Sequence, residues 1–166
     1  MRVLLKLILN CEPDDAWRAI RSPTVFQQVS HPLTQFTSLE VGGFPQLWEP
    51  GDHPVRASAL GKFTIGDQII RVSFDESEPG TRVVTDNGEG LSGALAAVTH
   101  WEHSMAVSAA PGGKTLYRDQ LLFSAGILTP FLWPMYWAFW QWRAIALKRL
   151  APGWGSPTHG RTNLSL

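Results

Sequence analysis

Two neighbouring segments of the chain carry side chains that could act together as an acid and a base. His103 lies in segment 98–108 and Asp119 in segment 114–124, with a Pro-Gly-Gly turn between them. Both segments alternate with period two, which predicts the two strands of a hairpin. His103 and Asp119 then share one face, where a carboxylate would fix the histidine tautomer and raise its basicity. The same pair could equally be structural, with His103 hydrogen-bonded to Asp119 or Tyr117 inside the core.

Asp86 is a further carboxylate that could take part in proton transfer. It ends a predicted strand, 81–86, whose inward face is ambiguous. Inside an apolar cavity, burial would raise the pKa of Asp86 and let it act as an acid; at a strand end it would instead lie in water.

Other reactive patterns are missing from the sequence. His100 and His103 fall on opposite faces of one strand, which argues against a shared metal ion. There is no phosphate-binding glycine loop, no Ser/His/Asp order and no cysteine nucleophile motif. We therefore predict neither a metal nor a cofactor.

The faces predicted to point inward are mostly apolar. In segments 98–108 and 114–124 the odd-numbered residues are the larger and more apolar set, and in segment 68–75 it is the even-numbered ones. We expect a cavity lined by aromatic, apolar and a few polar side chains from these strands, namely Trp101, His103, Met105, Tyr117, Asp119, Phe123, Asp86 and Phe74.

The rest of the chain predicts the frame that holds these strands. A first strand at 3–9 is followed by two short helices, 13–20 and 24–29, and then by further strands at 36–41, 55–60, 68–75 and 81–86. The glycine-rich segment 87–97 is interpreted as a flexible flap over the cavity. The layout is α+β: a curved antiparallel sheet of about six to seven strands around one long C-terminal helix.

That helix is predicted at 130–150, with Thr129 as its N-cap and Pro130 in its first turn. Segment 120–142 carries no charge, yet Gly126 and two prolines interrupt it, which argues against a membrane-spanning helix. Trp133, Trp137 and Trp140 follow one helical stripe and are expected to face the cavity.

The helix has more apolar residues than one buried face can use. Phe131, Met135, Phe139 and Trp142 fall outside the tryptophan stripe. Such a surplus predicts an exposed apolar patch, and these patches usually mark a contact surface. We expect a homodimer or peripheral membrane contact through this helix.

Composition restricts the class of protein. The 166 residues suit one domain, predicted at 1–152 with a flexible tail at 153–166. The 14 basic and 14 acidic residues balance, so no nucleic-acid partner is expected. A single cysteine, Cys11, fits a reducing cytoplasm, and Lys6 interrupts the only N-terminal apolar run that could be mistaken for a signal peptide.

The order of these elements resembles the START/Bet v 1-like (SRPBCC) superfamily, in particular its bacterial polyketide cyclase/dehydrase-like group. The resemblance covers residues 1 to about 152. It is carried by five short patterns: Pro13-Asp14-Asp15-Ala16-Trp17, Trp48-Glu49-Pro50-Gly51-Asp52, Gly61-Lys62-Phe63-Thr64-Ile65-Gly66, Trp101-Glu102-His103-Ser104-Met105 with Gly113-Lys114-Thr115-Leu116-Tyr117-Arg118-Asp119, and Gln141-Trp142-Arg143. Some relatives carry a His-x-His pair in the strand where this chain has Trp101 and His103, so a two-histidine site is not expected.

The resemblance implies a helix-grip fold around a cavity for apolar ligands, and a fold does not by itself decide a function. The first expectation is a protein, more carrier than enzyme, that binds a lipid or an aromatic polyketide-like molecule. A cofactor-free cyclase or dehydratase using His103 and Asp119 is the first alternative. The second is an interaction protein that acts through its tryptophan-rich helix.

Overall fold

The computed structural model describes residues 1–155 and confirms the predicted α+β helix-grip fold. The strands are β1 (Arg2–Leu9), β2 (Thr34–Ser38), β3 (Gly51–Ala59), β4 (Phe63–Asp75), β5 (Thr81–Asp86), β6 (Glu89–Gly90), β7 (His100–Ala110) and β8 (Lys114–Ser124). The α-helices are α1 (Pro13–Ile20), α2 (Pro23–Ser30) and α3 (Thr129–Leu150). Residues 156–166, most of the predicted tail, lie outside the described residues.

The strands form one antiparallel sheet in the order β1-β8-β7-β5-β4-β3-β2, and the short β6 pairs with β4. Burial alternates along β1, because successive side chains point to opposite faces of a strand. The long helix α3 contacts β1 at one edge of the sheet and α2 near the other. Sheet, α2 and α3 therefore surround an interior space, which holds the candidate site.

Helix α3 packs against the sheet through buried residues in its C-terminal half. Trp140, Ala144 and Leu147 are buried there. After the helix, a 3-10 turn (Ala151–Gly153) leads to Trp154, which packs against the core. No helix in residues 1–155 is both long enough and apolar enough to cross a membrane.

The start of α3 differs from the prediction. The Thr129 side chain does not cap the helix: its Oγ1 accepts from the amide of Ala125 at 2.8 Å and donates to the carbonyl of Gly126 at 2.7 Å. Thr129 therefore holds the tight turn between β8 and α3 together.

Two predictions for glycine-rich segments are wrong: that residues 61–66 connect two strands, and that segment 87–97 is a flexible flap. Glycine marks close packing as well as turns. Only residues 60–62 separate β3 from β4, and Gly66 lies within β4 at a β-bulge. A Cβ on Gly66 would come within 2.0 Å of the Ser92 carbonyl, and one on Gly88 within 1.7 Å of the Ile69 carbonyl. Segment 87–97 is therefore packed closely against β4, and it is not a free flap.

Four strands have ends that differ from the predicted ones by two to five residues, as boundaries often do. The strand predicted at 55–60 is β3, which begins at Gly51, and the one predicted at 68–75 is β4, which begins at Phe63. The strand predicted at 36–41 is β2, Thr34–Ser38, and the one predicted at 98–108 is β7, His100–Ala110. None of these shifts changes the parity, so the predicted inward faces of β4, β7 and β8 agree with the observed burial.

Candidate functional site

A fully buried carboxylate, Asp119, organises the interior. Its Oδ1 accepts from His103 Nε2 at 2.9 Å and from Trp140 Nε1 at 2.7 Å. Its Oδ2 accepts from the hydroxyl of Tyr117 at 2.7 Å, and Nη2 of Arg143 forms an ion pair with it at 3.7 Å. Three hydrogen bonds and one cation thus converge on a single side chain.

Strand register and helix packing bring these groups together. Asp119 on β8 lies opposite Met105 on β7, so His103 is its diagonal neighbour on the same face. Trp140 and Arg143 are one turn apart on α3 and approach the carboxylate from above the sheet. The contact between His103 and Asp119 is the one that the strand parity predicted.

The surroundings keep Asp119 ionised. Complete burial alone would raise its pKa, but the charges and hydrogen bonds of His103, Arg143 and Trp140 outweigh that effect and lower the pKa from 3.8 to about 2. Burial, and then the negative charge of Asp119, hold the pKa of the Tyr117 hydroxyl well above its ordinary value. Tyr117 therefore stays protonated and donates to the carboxylate.

An ionised carboxylate can only accept hydrogen bonds, so the neighbouring Nε2 of His103 must carry a proton. In the neutral ring this leaves the lone pair on Nδ1. Within residues 1–155 no group is hydrogen-bonded to Nδ1, and His103 lines the cavity. The arrangement offers a basic nitrogen to whatever occupies the cavity.

Asp86 is buried and does not lie in water, which corrects one of the two predicted placements. Its Oδ1 accepts from the amides of Arg71 and Gly88, both at 2.9 Å, and its Oδ2 accepts from Trp101 Nε1 at 3.0 Å. Burial raises the pKa of Asp86, and the charge of His103 with the three N–H donors opposes that rise. These bonds fix the start of segment 87–97 and the Trp101 ring beside the cavity.

The cavity has a volume of about 710 Å³ and opens to solvent. Its wall is mostly apolar and comes from α1, α2, β2–β8 and α3. Among the residues predicted as ligand contacts, those that line it are Asp86, Trp101, His103, Met105, Tyr117 and Trp140. Asp119 lies directly behind this wall, where it orients three of the lining side chains.

Four residues predicted as ligand contacts lie elsewhere. Phe123 packs in the core against Tyr136, with ring centroids 4.6 Å apart. Phe74 packs against Trp17 at 5.6 Å, under the guanidinium of Arg21. These two side chains have the predicted orientation, but other side chains fill the space in front of them.

Trp133 and Trp137 are the other two, and the rotation of α3 explains their placement. Trp133 Nε1 donates to the carbonyl of Arg2 at 2.9 Å, and 47% of Trp137 is exposed. The side of helix α3 that faces the cavity carries Tyr136, Phe139 and Trp140. Of the tryptophan stripe, only Trp140 lies on this side. Hydrophobic spacing could not reveal this rotation, because nearly every face of the first three turns is apolar.

Two important side chains were missed. Arg143 is the buried cation beside Asp119, and Tyr136 lines the cavity between Trp101 and Trp140. A signal for Arg143 was available: a buried carboxylate calls for a cation, and Arg143 is the first charge after the long uncharged segment. Tyr136 carried no distinguishing signal among so many aromatic residues.

The lowered pKa of Asp119 predicts a loss of stability in acid. Because its pKa in the folded protein is below the ordinary 3.8, its ionised form stabilises the fold above that pH. This stabilisation should disappear as the pH falls from 3.8 through about 2, which amounts to about 2 kcal/mol. Urea unfolding across this range tests it, with Asp119→Asn as the variant that cannot titrate. If the free energy of unfolding falls equally with pH in both proteins, other carboxylates are responsible for the loss.

The fold is shared with solved structures of low sequence identity. Protein jhp0584 from Helicobacter pylori aligns with a TM-score of 0.65 at 11% identity, covering 91% of this chain and 88% of its own. Protein CV1439 from Chromobacterium violaceum aligns at 0.61 and 15% identity, covering 91% and 96%. Norcoclaurine synthase from Thalictrum flavum, in complex with dopamine and hydroxybenzaldehyde, aligns at 0.60 and 11%, covering 90% and 85%. No protein-family model and no curated protein matches the sequence.

Proposed function

We propose that this domain binds a small, largely apolar molecule, such as a lipid or an aromatic polyketide-like compound, in its interior cavity. The observation that carries the proposal is the open cavity of about 710 Å³, whose wall is apolar with a few polar groups. Binding sites for small molecules have this size and this composition. In an interaction protein with a vestigial cavity, side chains would fill this space. The space is open instead, which favours ligand binding.

The polar groups of the wall restrict the ligand further. Nδ1 of His103 can accept a hydrogen bond from a ligand hydroxyl, or donate one to a carbonyl when the ring is protonated. The rings of Trp101, Tyr136 and Trp140 meet edge to face beside it. Such walls suit an aromatic ring, which would add its own edge-to-face contacts. We therefore favour a ligand that carries an aromatic ring and an oxygen function.

Norcoclaurine synthase supports this choice by its fold alone. Its structure contains dopamine and hydroxybenzaldehyde, two small phenols. A helix-grip fold can therefore hold ligands of the chemical type that the wall of this cavity favours. Ligand identity does not carry over at 11% identity.

An acid–base enzyme is the second candidate, and the His103–Asp119 contact favours it. Asp119 holds His103 with Nε2 protonated, so the lone pair on Nδ1 can take a proton from a carbon or oxygen of the substrate. The carboxylate would then stabilise the imidazolium that forms. Proton removal next to a carbonyl is the step that a cyclase or a dehydratase without a cofactor requires.

Native mass spectrometry of protein purified from its own host tests the binding proposal. We expect a small apolar molecule to stay bound in equimolar amount and to be released on denaturation, because binding removes apolar surface of both the ligand and the cavity wall from water. Protein that is empty, and that stays empty when mixed with aromatic and fatty compounds, would contradict the proposal.

Once this molecule is identified, a reaction assay with it distinguishes a carrier from an enzyme. The protein is incubated with it, and the reaction mixture is compared with that of His103→Gln. Glutamine can still donate to Asp119 but has no basic nitrogen, so a catalysed conversion should stop while binding remains. If neither the unchanged protein nor the His103→Gln variant converts the molecule, the result supports a carrier function.

A further inference from the structure

The opening of the cavity is surrounded by exposed apolar side chains. We locate this opening by the residues that both line the cavity and are exposed to solvent. Four large apolar residues meet both conditions, and we call them the mouth rim: Leu33 (38% exposed), Met135 (57%), Trp142 (37%) and Ile145 (57%). Three of them, Met135, Trp142 and Ile145, lie on one face of α3. Trp142 Nε1 donates a hydrogen bond to the carbonyl of His31 at 2.9 Å, which places Trp142 close to Leu33.

Further exposed apolar residues extend the mouth rim. Phe131, 78% exposed, lies one turn before Met135 on the same face of α3. Leu60 and Phe63, 55% and 68% exposed, form the tip of the β3–β4 hairpin. The amide of Leu60 bonds the carbonyl of Leu33 at 3.0 Å, which ties the tip to the rim. An exposed apolar surface of this extent usually marks a contact surface.

The charges around this surface are positive. Helix α3 has three basic residues and no acidic one among its 22 residues, and its exposed Lys148 and Arg149 lie three and four residues after Ile145, about one helical turn away. Lys62 lies at the hairpin tip between Leu60 and Phe63. Glu89 is the carboxylate of the cavity lining that reaches solvent, and it is paired with Arg71 at 3.4 Å.

We propose that the mouth rim and the β3–β4 hairpin tip dock on an anionic lipid surface, with the opening of the cavity against the bilayer. Apolar and aromatic side chains enter the interface of a membrane, while flanking lysine and arginine side chains bind acidic headgroups. A second copy of the chain fits less well. A two-fold contact would bring an acid-free helix against itself, so the helix would offer no carboxylate to Lys148 and Arg149 of the other copy.

Docking in this position gives a ligand a route between bilayer and cavity that avoids water. This route rests on the proposed binding function, but the docking itself does not. Vesicle binding can be measured with protein that carries no ligand. A protein that docks without binding a ligand, or binds a ligand without docking, would therefore separate the two proposals.

Flotation with vesicles tests the docking, using phosphatidylcholine alone and phosphatidylcholine mixed with phosphatidylglycerol. We expect the protein to float with the anionic vesicles and much less with the neutral ones. The double variant Met135→Ser/Ile145→Ser should bind roughly tenfold or more weakly, because two inserted side chains are lost. Lys148→Gln/Arg149→Gln should weaken binding to anionic vesicles only.

The matched control is Leu4→Ser/Ile8→Ser. Leu4 and Ile8 are 54% and 51% exposed, close to the 57% of both Met135 and Ile145, but they lie on the outer face of β1. This variant should bind vesicles like the unchanged protein. Equal loss in both double variants, or no flotation at all, would overturn the proposal. A dimer in sedimentation equilibrium that only the rim variant abolishes, without vesicle binding, would assign the surface to a second copy.

Discussion

Asp119→Ala is expected to lower the free energy of unfolding by about 3–5 kcal/mol, the usual cost of removing one partner from a buried ion pair. The substitution leaves the Nε2 proton of His103, the Tyr117 hydroxyl and Trp140 Nε1 without their acceptor. It also leaves Arg143 buried without its counter-charge, and Nε of that side chain already has no partner within residues 1–155. A loss of this size is a large part of the roughly 5–15 kcal/mol that stabilises an ordinary domain.

Urea unfolding followed by circular dichroism measures this loss, and Asp67→Ala is the matched control. Asp67, like Asp119, is paired with an arginine: it accepts two hydrogen bonds from Arg56, at 2.7 and 3.0 Å, but on the solvent face of the sheet. Exposed pairs contribute little, so the control should unfold almost like the unchanged protein. If the Asp119 variant does not fold, Tyr117→Phe removes one bond to the carboxylate and should cost about 1 kcal/mol or more. Similar stability of the Asp119 and Asp67 variants would show that the buried cluster is not what holds α3 on the sheet.

Ala57→Phe is expected to weaken ligand binding at least tenfold while the domain stays folded. Ala57 lies on the inner face of β3, where its side chain is part of the cavity wall, beside Phe36 on β2. A phenyl ring at this position would occupy space that the ligand needs. Overpacking is costly in a dense core, but here the added ring extends into open volume. Titration with an apolar fluorescent probe, anilinonaphthalene sulfonate, measures the change through energy transfer from Trp101 and Trp140.

The control for this variant is the same substitution on the other face of the sheet. Ala106 lies on β7 opposite Arg118, which faces solvent, and it is not part of the cavity wall. Ala106→Phe should leave the probe affinity unchanged. If both variants bind the probe like the unchanged protein, the probe binds outside the cavity, and the proposed binding site is wrong.

Much of the fold followed from local patterns. Period-two alternation predicted β7 and β8 and the face that each strand turns inward, because side chains alternate strictly along a strand. Glu12-Pro13 with two acids, and Thr129-Pro130, located the beginnings of α1 and α3 to within about a residue. These signals depend only on neighbouring residues, which is why the sequence alone was enough.

The sequence also determined that His103 and Asp119 would lie close together, because strand parity and one short hairpin bring them to the same face. It did not determine what completes the site. Arg143 and Trp140 reach Asp119 only through the packing of α3 on the sheet, and the rotation of that helix cannot be calculated from a stripe that is apolar on nearly every side.

Only the tertiary structure decided which aromatic residues line the cavity and which reach solvent. Trp137 and Trp140 are three residues apart on one helix, yet the first is 47% exposed and the second 1%. The difference arises from where the curved sheet ends beneath α3, which depends on contacts between residues far apart in the chain. The same long-range packing leaves a cavity of about 710 Å³ and turns Met135, Trp142 and Ile145 toward its opening, because no other element within residues 1–155 covers that side of the helix.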